Sequence, residues 1–149
     1  MATPVLADDF KKFLKLLNAN HVEYLVIGGY AVGYHGYVRG TVDFDVWIRQ
    51  TPENTANVVT ALREFGFSDP ELSPDSLLQE LSVARMGVPP LRIEVITTIS
   101  GVTFDECYPQ RVMDTLDGVP VNVISLEHLK INKRASGRLQ DLADLEKLP

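Results

Sequence analysis

The chain has 149 residues, is 45% hydrophobic and 23% charged, and carries a net charge of −6 with a single cysteine, Cys107. That length suits one domain spanning 1–149, and its apolar content excludes disorder as the main state. One cysteine excludes an internal disulfide or a cysteine-based zinc cluster, and the acidic balance speaks against a long nucleic acid as partner. No apolar run reaches the ~18–20 residues that span a bilayer, and the opening MATPVLADDF lacks the basic start of a secretory signal. The expected setting is therefore the cytoplasm, without a membrane.

In chain order, Thr3-Pro4 signals a helix start, and Leu6, Phe10, Phe13, Leu14 and Leu17 follow at helical spacing until Asn18–Asn20. Glu23–Gly28 (EYLVIG) is short, apolar and β-branched, which predicts a buried strand. Gly29–Gly36 follows as a short helix and Thr41–Ile48 (TVDFDVWI) as an alternating strand. Thr51-Pro52-Glu53 opens a helix with Val58, Val59, Leu62 and Phe65 on its inner side, and Gly66 stops it. Ser73-Pro74-Asp75 starts a short helix to about Leu81, and Leu91–Thr97 is a strand after the Pro89-Pro90 break. Residues 103–110 read as a short helix or loop. Arg111–Thr115 and Val119–Ile124 flank Asp117-Gly118 as a hairpin. Ser125-Leu126-Glu127 caps a helix to about Ala135, and after Gly137 a last helix runs to Lys147. The elements mix without strict βαβ alternation, which predicts an α+β (mixed α/β) fold with a single mixed sheet packed by helices.

Charge gathers in the middle: residues 40–110 hold eleven acids against Arg49, Arg63, Arg85 and Arg92. Such a centre suits a cation site or, equally, solvated acidic faces. Within it, Asp43 and Asp45 sit two apart in a predicted strand, so they share a face while Phe44 and Val46 take the other. Paired carboxylates repel and lose hydration in a cleft unless a cation or donors lie between them. Mg²⁺ or Mn²⁺ is the suited partner, an oxygen-seeking ion that keeps several waters; an edge strand with two wetted acids is the plainer alternative. Gly28-Gly29 ends the preceding strand, and glycines there let a phosphate approach a helix start or simply make a tight turn. His21, His35 and His128 show no metal-ligand spacing, and Tyr30, Tyr34, Tyr37 and Trp47 suit core packing or stacking on a base.

Ile27-Gly28-Gly29, thirteen residues, then Asp43-Phe44-Asp45-Val46 resembles the motif of the DNA polymerase beta-like nucleotidyltransferases. Arg39-Gly40-Thr41 before the acids, and Leu129–Leu148 (LKINKRASGRLQDLADLEKL), resemble the small minimal-nucleotidyltransferase and abortive-infection toxin-type branch, so the likeness runs over roughly residues 20–148. The resemblance implies a nucleotidyltransferase-like fold whose C-terminal helices, about 125–148, close a nucleotide cleft. It implies a magnesium-dependent transferase that moves a nucleoside monophosphate from an NTP to a hydroxyl on a small molecule, a protein or an RNA end. Asp43 and Asp45 would be catalytic metal ligands, and Glu94 the third carboxylate, where the family more often has Asp; Arg92 beside it can instead neutralise it. Gly28 and Gly29 would face the triphosphate, with Lys133 and Arg138 as its cations by match to the last motif. Arg39 could reach the triphosphate or pair with Asp43 or Asp45, and Thr41 could donate to a phosphate or be a plain strand residue. Asp141 and Asp144 are expected as exposed acids of the last helix, with Asp141 able to orient Arg138. The alternative reading is a non-catalytic or weakly active nucleotide-binding component of a toxin–antitoxin or other two-component module with a partner protein.

Overall fold

The computed structural model describes residues 7–36, 43–79, 83–87 and 92–149. These form six strands in one mixed sheet and seven α-helices. The first helix, α1 (Asp8–Ala19), buries Phe10, Phe13, Leu14 and Leu17 as their spacing requires, with Asp8 and Asp9 favourably placed in its first turn. It begins at Asp8, later than the Thr3-Pro4 signal, which lies outside the described residues. Strand β1 (Tyr24–Ile27) is buried at every position. Its four apolar residues fit a place between two neighbours, antiparallel β2 (Phe44–Ile48) and parallel β6 (Val119–Val123). Helix α2 (Gly28–Tyr34) starts directly at the end of β1.

Helix α3 (Pro52–Phe65) follows its sequence signals closely. The Thr51 side chain accepts from the Asn54 N–H at the start, and Gly66 takes φ 109° at the end. Asn54 is buried yet satisfied: it accepts from the Glu23 N–H and donates to the carbonyls of Glu23 and Arg49. That one side chain fastens α3 to the start of β1 and the end of β2. After α4 (Pro74–Leu77) comes β3 (Val83–Met86), which pairs antiparallel with β4 (Ile93–Ile96). Sequence periodicity misses β3, a four-residue edge strand, and extends the helix before it to Leu81. The helix ends at Leu77.

Beyond α5 (Phe104–Cys107) and a 3-10 turn (Tyr108–Gln110), β5 (Val112–Leu116) and β6 form the expected hairpin. Asp117 and Gly118 both take positive φ, 53° and 79°, as a two-residue primed turn demands. Helices α6 (Leu126–Ser136) and α7 (Leu139–Lys147) complete the chain. The strand order is β3-β4-β2-β1-β6-β5. One sheet face is greasy: Phe44, Val46, Ile93 and Val95 are buried there, and Phe10 of α1 stacks on Phe44 at 4.9 Å. The other face presents Asp45, Trp47, Glu94 and Ile96, and it carries the polar chemistry. No helix among the described residues is long and apolar enough to cross a membrane.

Candidate active site

Strands β2 and β4 run parallel, with Asp45 level with Glu94. Residues level across a parallel pair share a face, so two of the three predicted carboxylates stand side by side. Asp43, just before β2, points to the same region and lines one hollow with Asp45. The three differ in how they are satisfied. Asp43 accepts from the Arg92 guanidinium at 2.9 Å. Glu94 accepts from Arg85 at 3.0 Å and lies 3.5 Å from Arg92. Arg85 reaches Glu94 because β3 brings it level across the strand pair, so missing that strand meant missing this partner.

Among the described residues Asp45 has no such ion pair. Its Oδ1 is buried with no hydrogen-bond partner among the described residues. Burial, then the nearby charges of Glu94 and Asp43, push its carboxyl up to about 6, with Lys133 and Arg92 only partly offsetting them. Gly28 is folded around this carboxylate. Its φ is +67°, and a Cβ there would lie 2.4 Å from Asp45 Oδ2. The glycine is thus required twice, by its left-handed backbone and by the acid pressed against it. Room for a phosphate is a separate matter, supplied by the hollow of about 230 Å³ beside Gly28 and Gly29.

The far wall of that hollow comes from α6 and α7 through Lys133, Arg138, Gln140 and Asp141. Here the structure corrects the expectation for the last helix. Asp141 and Asp144 are buried. Lys133, also buried, lies 3.1 Å from a carboxylate oxygen of each. Gln140 donates to Asp144, and Asp141 also accepts from Arg138 at 2.9 Å. Burial alone would raise the Asp141 carboxyl, but hydrogen bonds from Arg138, Ser136 and Lys133 hold it well below the usual range. The expected orientation of Arg138 by Asp141 is present, while the Arg138 side chain remains 77% exposed. Spacing offered a signal for the buried pair: Lys133, Asp141 and Asp144 fall either side of Gly137, where a tight helical hairpin brings them together.

Arg39, Thr41 and Tyr37 lie outside the described residues. Trp47 packs in the interior, edge-on to Phe104, and half-buried Tyr30 packs edge-on to Phe10 and Phe44. Tyr34 donates to Asp114, and His35 bonds the Ile124 carbonyl. Among the described residues no three ligating side chains converge as a preformed metal site; arginines hold two of the three carboxylates, and the unsatisfied oxygen of Asp45 is the position that fits a cation.

No protein-family model matches the sequence. No curated protein matches it either. Among solved structures, the fold is similar to that of a "putative nucleotidyltransferase" from Thermotoga maritima, with a TM-score of 0.60 at 17% identity over 92% of this chain and 88% of that one. The chain has a nucleotidyltransferase-like fold.

Proposed function

We propose that the protein is a magnesium-dependent nucleotidyltransferase that moves a nucleoside monophosphate from an NTP to a hydroxyl acceptor. The observation that carries this reading is Asp45: a half-buried residue whose Oδ1 is shut from solvent with no hydrogen-bond partner among the described residues, facing a hollow bounded by Gly28, Gly29, Lys133 and Arg138. A buried carboxylate without a partner costs free energy, and a ligand that brings a cation removes that cost. Asp45 and Asp43 would hold the divalent ion, with Glu94 beside them. Held there, such an ion would supply charge neutralisation to the triphosphate and the leaving pyrophosphate and would make the acceptor hydroxyl more acidic. Arg138, largely exposed at the rim, meets the phosphates; Lys133 lends positive charge from behind. The acceptor oxygen attacks the α-phosphorus, the bond to the bridging oxygen of the β-phosphate breaks, and Glu94 takes the hydroxyl proton. Most of the rate then comes from positioning and charge neutralisation.

The arginine pairs on Asp43 and Glu94 favour a second reading, a nucleotide-binding module with little catalysis, such as a component of a toxin–antitoxin pair. Incubating the pure protein with each α-labelled NTP, Mg²⁺ and cell extract separates the two. Label transferred to an extract component by wild type but not by Asp45→Asn supports the transferase. Metal-dependent NTP binding without transfer supports the module.

A further inference from the structure

The site has a second compartment. Across Asp45 and Lys133 from the first hollow lies another of about 260 Å³, between the loop that follows β4 and the outer turn of α6. The two share Gly28, Asp45, Lys133 and Arg138. Neither alone reaches the ~300–1,000 Å³ usual for small-molecule pockets, whereas the two together do. Their chemistry also divides. The first hollow adds Asp43, Gln140 and Asp141 to the shared charges. The second adds three isoleucines, Ile27, Ile96 and Ile99, with the hydroxyls of Thr98, Ser100 and Ser136 and the amide of Asn132. A ligand that fits both has a densely charged end and a neutral end with an apolar body and hydrogen-bonding edges.

The second compartment is built firmly. Its loop is held at the base by Trp47, whose indole N–H donates to the Thr97 carbonyl at 3.2 Å. Its tip is held by Asn132, whose amide donates to the Ser100 carbonyl at 2.9 Å. Gly101 lets that tip seat on α6: at φ +84°, a Cβ there would lie 2.6 Å from the Ala135 Cβ and 3.3 Å from the Ile131 carbonyl oxygen. The width of the compartment is therefore set by backbone contact and does not depend on a ligand.

We infer that this compartment, between the Ile96–Ser100 segment and Asn132 of α6, receives the nucleoside of the substrate while the Gly28-Gly29 hollow receives its triphosphate. The inference rests on the proposed nucleotidyltransferase reading and goes beyond it by assigning the part that distinguishes a nucleotide from bare polyphosphate. The apolar walls suit the faces of a base, and the hydroxyls and amide suit its edge and the ribose hydroxyls.

Calorimetry with two probes tests it, an NTP and inorganic tripolyphosphate, each with Mg²⁺. Two variants fill the compartment from opposite walls at positions outside the core, Asn132→Trp on the helix and Ser100→Trp on the loop. Wild type should bind the NTP at least tenfold more tightly than tripolyphosphate. Each variant should lose most of that advantage and keep its tripolyphosphate affinity within about twofold, with its melting temperature confirming the fold. NTP affinity unchanged in both folded variants overturns the inference, even though the nucleotidyltransferase reading survives. So does equal loss of both probes, which would make the compartment part of the phosphate site. Wild type that binds neither probe overturns the functional reading and the inference with it.

Discussion

Two charged clusters face each other across the cleft, and they are satisfied in opposite ways. On α6 and α7, Lys133 sits buried between Asp141 and Asp144, and Arg138 and Gln140 supply further donors to the same two acids. On the sheet, Asp43 and Glu94 share partly exposed arginines, while Asp45 keeps a buried oxygen with no hydrogen-bond partner among the described residues. Burial alone does not separate the clusters: the helical acids are buried outright and the sheet acids half-buried, yet the Asp45 Oδ1 is also shut away from solvent. Completeness does. A buried charge whose partners are all present holds a fold together, whereas one left incomplete is a position that a ligand can complete. The helical cluster thus fixes the wall, and the sheet cluster is where binding chemistry is to be sought.

The largest effect should come from removing the ammonium at the centre of the helical cluster. Lys133→Met leaves two buried carboxylates facing each other, a loss of about 3–5 kcal/mol. For a domain of this size that corresponds to a fall in melting temperature on the order of 10 °C. Adding Asp144→Asn to Lys133→Met should recover part of the loss, because it removes one of the stranded charges. A Lys133→Met protein that melts like wild type and binds NTP more weakly would return Lys133 to the direct phosphate contact that the motif alone implies.

The sheet cluster should respond with the opposite sign. Asp45 has its folded value at about 6 against 3.8 unfolded. Between those values the native state holds the extra proton, so stability falls as pH rises from about 4 to 6. The cost at neutral pH is at most about 3 kcal/mol, at 1.36 kcal/mol per unit. Asp45→Asn should remove that decline and melt higher than wild type at pH 7, while losing metal-dependent NTP binding. Asp141, depressed by its donors, bends the curve the other way: its contribution is present above the unfolded carboxylate range near 4 and is lost as pH falls below it. Thermal melts from pH 3 to 7 on wild type and Asp45→Asn check both signs. A variant that melts lower than wild type at pH 7 would show that Asp45 supports the fold.

Most of the sheet and the placement of its acids were legible in sequence. Period-two alternation puts Asp43 and Asp45 on one face, and the two line one hollow although Asp43 lies just before β2; the same rule turns Glu94 away from Ile93 and Val95, as the register of β2 with β4 bears out. What was not legible depends on contacts distant in sequence. Arg92 pairs with Asp43 across 49 residues, a partnership that no local pattern encodes. Strand β3 lies at the sheet edge and its sequence, VARM, has a single β-branched apolar residue, fewer than mark β1 and β4, so Arg85 has no assignment from sequence. Asp141 and Asp144 look like the polar face of an amphipathic helix until the turn at Gly137 folds that face onto Lys133. The second compartment of the cleft lay outside any motif, because Ile96–Ser100 and Asn132 become neighbours only through the close seating of Gly101 on α6.

The smallest effect on stability should fall on Arg138, and it is the one that divides the clusters most sharply. Arg138 bonds to buried Asp141, which would place it with the structural cluster, yet its own side chain is 77% exposed, which would place it with the binding groups. An ion pair with one partner in solvent adds little, about 0.5 kcal/mol or less. Asp141 also keeps Lys133 when the guanidinium goes. Arg138→Gln should therefore shift the melting temperature by no more than a degree or two. Its effect on ligands should be much larger: losing a charge-assisted hydrogen bond costs roughly 1.5–3 kcal/mol, which is about a 10- to 150-fold loss of affinity for tripolyphosphate and NTP alike. Arg138→Lys keeps the charge but not the planar fork, so it should fall between Gln and wild type. A steep loss of stability with unchanged tripolyphosphate affinity would move Arg138 to the structural side and leave the phosphates without an exposed cation from α7.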